Sequence, residues 1–198
     1  ERSIDSTSRY WHAWTERGMR DFAPLSVRIR QLYTHSLAIM RAHTDNRGGI
    51  IASSDSDMLN QGRDSYSYLW PRDAAIIANA FDRAGHIDVT QRFFTFLAKH
   101  CMEPDGYLMH KYRVDGVLGS SWHPWIHNGV SRLPIQEDET AIILWMLAEH
   151  YTYAKDLEFI ESLYNSFIEP MADFLYRYVD SDTGLPVDSY DLWEEKYG

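Results

Sequence analysis

Cysteine is almost missing from this 198-residue chain: Cys101 stands alone, so no internal disulfide can staple the fold. Its place on one helical stripe with Val89, Phe93 and Leu97 predicts a buried thiol instead. Basic charge is short as well. With 19 Lys and Arg against 29 Asp and Glu, the net charge is −10, which argues against the basic face that a nucleic acid or an anionic membrane would need. No apolar run approaches the roughly 18 residues of a membrane span, and Glu1-Arg2-Ser3 is not a signal peptide. Cytoplasmic location is therefore the default expectation, with secretion open if further residues precede Glu1. Metal-ligand patterns are equally sparse. His123 and His127 are four apart, but Pro124 lies between them and no acidic third ligand is near in sequence. Asp55-Ser56-Asp57 lacks the glycine and distal glutamate of an EF-hand loop. Neither a metal nor a cofactor is expected.

What the chain holds in quantity is aromatic surface, with seven Trp and thirteen Tyr. Such a content suits stacking on sugar rings, although a core of this length would absorb most of it.

The apolar pattern is helical throughout. Asp5 or Ser6 is placed to cap a short helix reaching Trp14 and ended by Gly18. Pro24 should open a second helix, to about His43, with Leu25, Ile29, Leu32, Ile39 and Met40 on one side. Residues 44–65 read as a polar loop suited to a cleft rim. Helices over 72–84 and 140–151 are apolar nearly all round and so must be surrounded by protein, whereas those over 88–101 and 157–178 carry a single stripe. Pro170 should kink or break the last of these. Residues 106–118 read as a short β-hairpin turned at Asp115-Gly116. Alternation of fully buried and one-sided helices fits an all-α fold of two concentric rings. A helical repeat array would alternate in the same way, but no internal period is present.

Two clusters carry chemistry. In Asp191-Leu192-Trp193-Glu194-Glu195, adjacent carboxylates follow an indole. An apolar wall raises a carboxyl pKa, as proton donation near neutral pH requires, and an indole also offers a stacking face for a sugar. The plain alternative is a solvated Glu-Glu pair at the start of a helix. In the second cluster, Tyr66 to Asp73 (YSYLWPRD), Pro71 sets the first helical turn and leaves Arg72 and Asp73 at the helix mouth. An Arg fork beside an Asp, next to Tyr66 and Trp70, can grip vicinal hydroxyls from donor and acceptor sides. The same two residues could merely cap the helix.

Together these stretches, with KYRVDGVLGSSWHPW at 111–125, LPIQEDET at 133–140 and GLPVDSYDLWEE at 184–195, resemble glycoside hydrolase family 15, the glucoamylase, glucodextranase and trehalase family, in its prokaryotic glucoamylase-like branch. Tyr10-Trp11-His12-Ala13-Trp14 is similar to the helix that leads into that family's catalytic domain. The resemblance implies the first half of an (α/α)6 barrel, with residues 1–20 as linker helix and 21–198 as the N-terminal half of the catalytic domain. It implies Glu194 as general acid, Arg72 and Asp73 as the grip on the terminal glucose, and Tyr66 and Trp70 as the lining of that subsite. Leu192, Trp193 and Glu195 would contact the terminal and next sugar. Gln136 and Asp138 fall near the cleft, without a catalytic role.

An inverting glycosidase needs a second carboxylate roughly 6.5–9.5 Å from the acid to activate water. In this family that base lies far downstream of the acid, and no residue here matches it. The expectation is an exo-glucosidase acting on α-1,4-linked gluco-oligosaccharides, incomplete and inactive as an isolated chain. Trehalase or α-1,6-preferring activity, a non-catalytic sugar-binding fragment and a helical interaction module are the alternatives. Half a barrel would leave apolar faces open, so self-association is expected too.

Overall fold

The computed structural model describes residues 2–18, 22, 24–54, 65–120, 124–131 and 133–190. Their helices are α1 (Arg2–Glu16), α2 (Val27–Ala42), α3 (Pro71–Arg83), α4 (Ile87–His100), α5 (Glu137–Ala154), α6 (Leu157–Leu163) and α7 (Glu169–Arg177). A two-stranded ribbon, β1 (Ile126–His127) with β2 (Val130–Ser131), precedes α5.

Helices α3 and α5 form the most extensive helix pair among the described residues. They run parallel: Arg72 at the start of α3 meets Asp138 at the start of α5, and Asp82 near the end of α3 meets His150 near the end of α5. Parallel neighbours need an intervening chain that returns to the starting end, and α4 supplies it, packing on both. Beyond α5, the stretch from α6 to α7 returns in the same way, with α7 packed on α5. The result is an inner layer, α3 and α5, and an outer layer, α4 and α6 to α7. This is the all-α layering of half an (α/α)6 barrel. Phe81, Phe93, Phe94, Phe96, Leu97, Ile143, Phe167 and Met171 fill the space between the layers. On the open side of the inner layer, Ile76 is 54% and Trp145 62% exposed. The all-round apolar pattern of these two helices therefore exceeds what the described residues cover.

Several local expectations change. Asp5 and Ser6 lie inside α1 rather than capping it, while Gly18, at φ +70°, follows its end as expected. Helix α2 is opened by Ser26, whose hydroxyl accepts the Ile29 N–H at 3.4 Å, and not by Pro24. Most of its predicted apolar side is outward: Leu25, Ile29, Leu32 and Ile39 are exposed, whereas Met40 packs partly buried on the core and Leu37 is the buried residue. The periodicity is helical but α2 borders few neighbours among the described residues. The segment expected to be polar rim begins as core. Gly48 sits at φ +119° against α4, where a Cβ would lie 2.2 Å from the Arg92 carbonyl oxygen, and Ile50 is fully buried.

The turn at Asp115-Gly116 is present, closed by Gly116 N–H to Arg113 C=O at 2.9 Å, yet its flanks form isolated bridges and not regular strands. The regular hairpin lies further on, at Asn128-Gly129, with φ of +50° and +78°. Asn-Gly is the sequence signature of that tight turn. Cys101 is buried as expected, and burial pushes its thiol far above the ordinary value. Pro170 does not break its helix. The turn before it widens to a π-helical one, Tyr164–Ile168, where the Glu169 N–H reaches the Tyr164 carbonyl. A wide turn relieves the clash of a proline ring with the carbonyl four residues back.

Candidate functional site

The YSYLW stretch is extended and held on both edges. Leu69 and Tyr112 exchange two backbone hydrogen bonds, at 2.7 and 2.8 Å, while Ala52 and Ser53 donate to the carbonyls of Tyr68 and Tyr66 at 2.9 and 3.0 Å. This frame delivers Trp70 to the start of α3. Tyr66 stacks on Trp70 with ring centroids 5.7 Å apart, and Tyr68 meets Trp70 edge-on at 6.0 Å. Trp70 is buried and Tyr66 exposed, so the stack offers its outer ring to solvent. Beneath it lies Lys111, fully buried, its ammonium 4.7 Å from the Tyr68 ring centroid and 5.5 Å from that of Trp70. A cation over aromatic faces is attractive, and more so once desolvated.

Arg72 follows at the mouth of α3 with its guanidinium spread over the first turn of α5. Nε donates to Asp138 Oδ2 at 2.6 Å, Nη2 to Asp138 Oδ1 at 3.3 Å and to Gln136 Oε1, and Nη1 lies 3.2 Å from Glu139 Oε1. The Arg72 backbone N–H donates to the other Glu139 oxygen. Burial works against the Arg72 charge, but Glu139, Asp138 and Asp73 outweigh it and hold the guanidinium above its ordinary pKa. Glu139 is fully buried, and that burial pushes its carboxyl well above the usual carboxylate range, against the pull of Arg72. Asp73 is exposed alongside.

A guanidinium has five N–H donors, and these contacts engage most of them. The surface left for a polyol is therefore chiefly acceptor oxygen, from Asp138 and Asp73, with Arg72 Nη1 and the Tyr66 face beside it. The end of the described chain reaches the same place. Tyr190 N–H donates to the Ile135 carbonyl at 3.1 Å and its hydroxyl to the Pro124 carbonyl at 3.0 Å, while Ser189 Oγ donates to Glu137.

Of the residues named from sequence, Tyr66, Trp70, Arg72 and Asp73 come together at one end of the inner layer. Leu192, Trp193, Glu194 and Glu195 lie outside the described residues, as do His123 and the Asp55-Ser56-Asp57 stretch. No group of three or more potential metal ligands occurs among the described residues. No described helix is long and apolar enough to cross a membrane. The sequence placed Gln136 and Asp138 near the cleft but missed their hold on Arg72, and it missed Glu139 and Lys111 altogether. For Asp138 and Glu139 a signal was available, as three consecutive acids opening an apolar helix.

An all-α half-barrel with a stacked aromatic pair and a carboxylate-rich helix mouth is the architecture of a helical glycoside hydrolase. The family model for glycosyl hydrolases family 15 matches residues 27–198, and the chain belongs to that family. An uncharacterized glycosyl hydrolase from Methanocaldococcus jannaschii is 31% identical over 172 residues, 86% of this chain and 24% of the relative. A glucoamylase from Clostridium sp. strain G0005 is 29% identical over 196 residues, 95% of this chain and 24% of that enzyme. Among solved structures, a glycosidase variant in complex with glucose superimposes with a TM-score of 0.64 at 22% identity, over 90% of this chain and 46% of its own. The wild-type glycosidase gives 0.63 at 22% identity. The chain thus spans about a quarter of the length of the two relatives and about half that of the solved glycosidases.

Proposed function

We propose that the chain is the N-terminal half of the catalytic domain of a glucoamylase-like exo-glucosidase, entered through α1 as a linker helix, with residues 21–198 forming the half-domain. It would take the non-reducing end of an α-1,4-linked gluco-oligosaccharide. The observation that carries this is the joint placement of the Tyr66–Trp70 stack, Arg72, Asp138 and Asp73 at the mouths of two parallel inner helices, in a family 15 chain. An aromatic face takes the C–H side of a pyranose, and the carboxylates with the guanidinium take its hydroxyls.

Glu194 is assigned as general acid. Leu192, Trp193 and Glu195 are assigned to the terminal and adjoining sugars. Hydrolysis with inversion needs a base carboxylate on the opposite face. None here occupies the base's place in the family order, so the isolated chain is expected to bind sugar without cleaving it. Its open inner face, with Ile76 and Trp145, is expected to drive self-association, which sizing by light scattering would detect.

The test is proton NMR of maltotetraose incubated with the chain, with Glu194→Gln as control, alongside a maltose titration. Maltose binding without release of β-glucose supports the reading of a binding-competent half. Release that vanishes in the variant supports Glu194 as acid and overturns the expected inactivity. Absence of maltose binding overturns the sugar site itself.

A further inference from the structure

Helix α3 opens without a side-chain cap of its own. Trp70 stands at the N-cap and has no oxygen to offer, and Pro71 has no N–H. The Arg72 N–H is then an unpaired donor at a position normally served by the capping side chain. Glu139 takes that role from another helix, 67 residues away in sequence. Its second oxygen faces the guanidinium of the same Arg72, at 3.2 Å from Nη1. One carboxylate therefore holds both the backbone and the head of one arginine.

The parallel packing of α3 and α5 explains why a carboxylate belongs there. Parallel helices set their positive ends side by side, and these ends repel. Glu139 lies in the first turn of α5, its own N–H returning to Gln136 C=O at 3.1 Å, and reaches across to the first turn of α3. Its oxygens thus sit between two helix N-termini and a guanidinium. Full burial removes water as a competing partner. Asp138, one residue earlier and one-third exposed, holds Nε from the solvent side.

We propose that Glu139 is a positioning residue for Arg72: by capping α3 from α5 and facing the guanidinium, it fixes the direction in which Arg72 and Asp138 meet a sugar hydroxyl. The proposal rests on the sugar-binding reading above for its purpose, but its geometry can be tested without sugar. Glu139→Gln keeps the shape and one acceptor oxygen for the Arg72 N–H, and puts an amide in place of the acidic group opposite Nη1. In the whole chain, the Arg72 side-chain Nε–H is followed by NMR hydrogen exchange, the Arg72 amide is followed in the same spectra, and maltose is titrated.

The expected result is an amide that stays protected, side-chain exchange that accelerates about tenfold, and maltose affinity that falls by a similar factor, about 1.4 kcal/mol. A role confined to capping, which Gln preserves, would leave both side-chain exchange and maltose affinity unchanged, and that result overturns the proposal. If Gln at 139 prevents folding, Glu139→Asp keeps the charge but falls one methylene short, and the same exchange measurement decides. Wild-type chain that fails to bind maltose sinks the sugar reading alone, since the Arg72 exchange still reports on Glu139.

Discussion

The two ends of the α3–α5 pair are both tied by polar cross-helix contacts, but in opposite surroundings. At the far end, His150 Nδ1 meets both Asp82 oxygens at 2.9 and 3.0 Å, with side chains 1% and 0% exposed. Phe94 and Phe159 pack on the imidazole. At the mouth, Arg72 and Asp138 keep 19% and 33% of their side chains exposed, and Asp138, Gln136 and Glu139 gather round one guanidinium. The closed end is a clamp, since a dry pair with aromatic walls has no room for a ligand. The mouth combines a rigid base, Glu139, with an open rim of Asp138 and Asp73. The same helix pair thus separates holding the fold from meeting a substrate by distance along its axis.

Breaking the clamp should give the largest effect. His150→Ala leaves Asp82 buried without its partner, and a loss of about 3–5 kcal/mol is expected in urea unfolding. A loss below about 1 kcal/mol would mean the closed end is not the clamp. Next, Arg72→Ala strips Glu139 of its counter-charge and should lower stability by about 1–3 kcal/mol at neutral pH while abolishing maltose binding. The pH dependence of this loss has a definite sign. The Glu139 carboxyl is raised above its ordinary 4.5, so the folded state keeps a proton that the unfolded chain releases. Its contribution is complete below that value and lost as pH rises through the folded one. Arg72→Ala should therefore unfold more easily as pH rises across that window, and a flat profile would contradict it.

The closed end should show the reverse slope. His86, just beyond α3, stacks on Trp14 of α1 at 3.9 Å, and burial, aided by Arg17, holds its imidazole below the ordinary 6.5. That stability is present above 6.5 and lost as pH falls through the folded value. His86→Phe keeps a ring against Trp14 and should flatten the acid-side loss, measured as the shift in urea midpoint between the two sides of that value. The smallest effect on the fold belongs to the rim. Asp73→Asn should change stability by no more than about 0.5 kcal/mol while weakening maltose binding, and equal losses in both would make Asp73 structural.

Much of the helical order was legible because buried stripes leave a strong period. The spans of α3, α4 and α5 could be read from Phe93, Leu97 and Ile143 and their neighbours. What misled was the assumption that an apolar stripe must be buried: Ile29, Leu32 and Ile39 form one on α2 and face out. Polarity misled in the opposite direction, since Gly48 and Ile50 lie in a polar stretch yet pack on α4. At the site, YSYLWPRD identified Arg72, but only the parallel packing reveals that its partners come from 136–139. Pairing across 64 or more residues leaves no trace in local spacing.

The π-helical turn at Tyr164–Ile168 sets the rotational phase of everything after it. A helix advances about 100° per residue, so removing one residue from this turn, to make it regular, would swing α7 round by that angle. Phe174, now 5.1 Å from the Tyr107 ring, and the fully buried Met171 would turn away from the inner layer together. The outer helix is thus keyed to the core by a count of residues, and a single-codon deletion there would disturb packing more than most substitutions in the same turn.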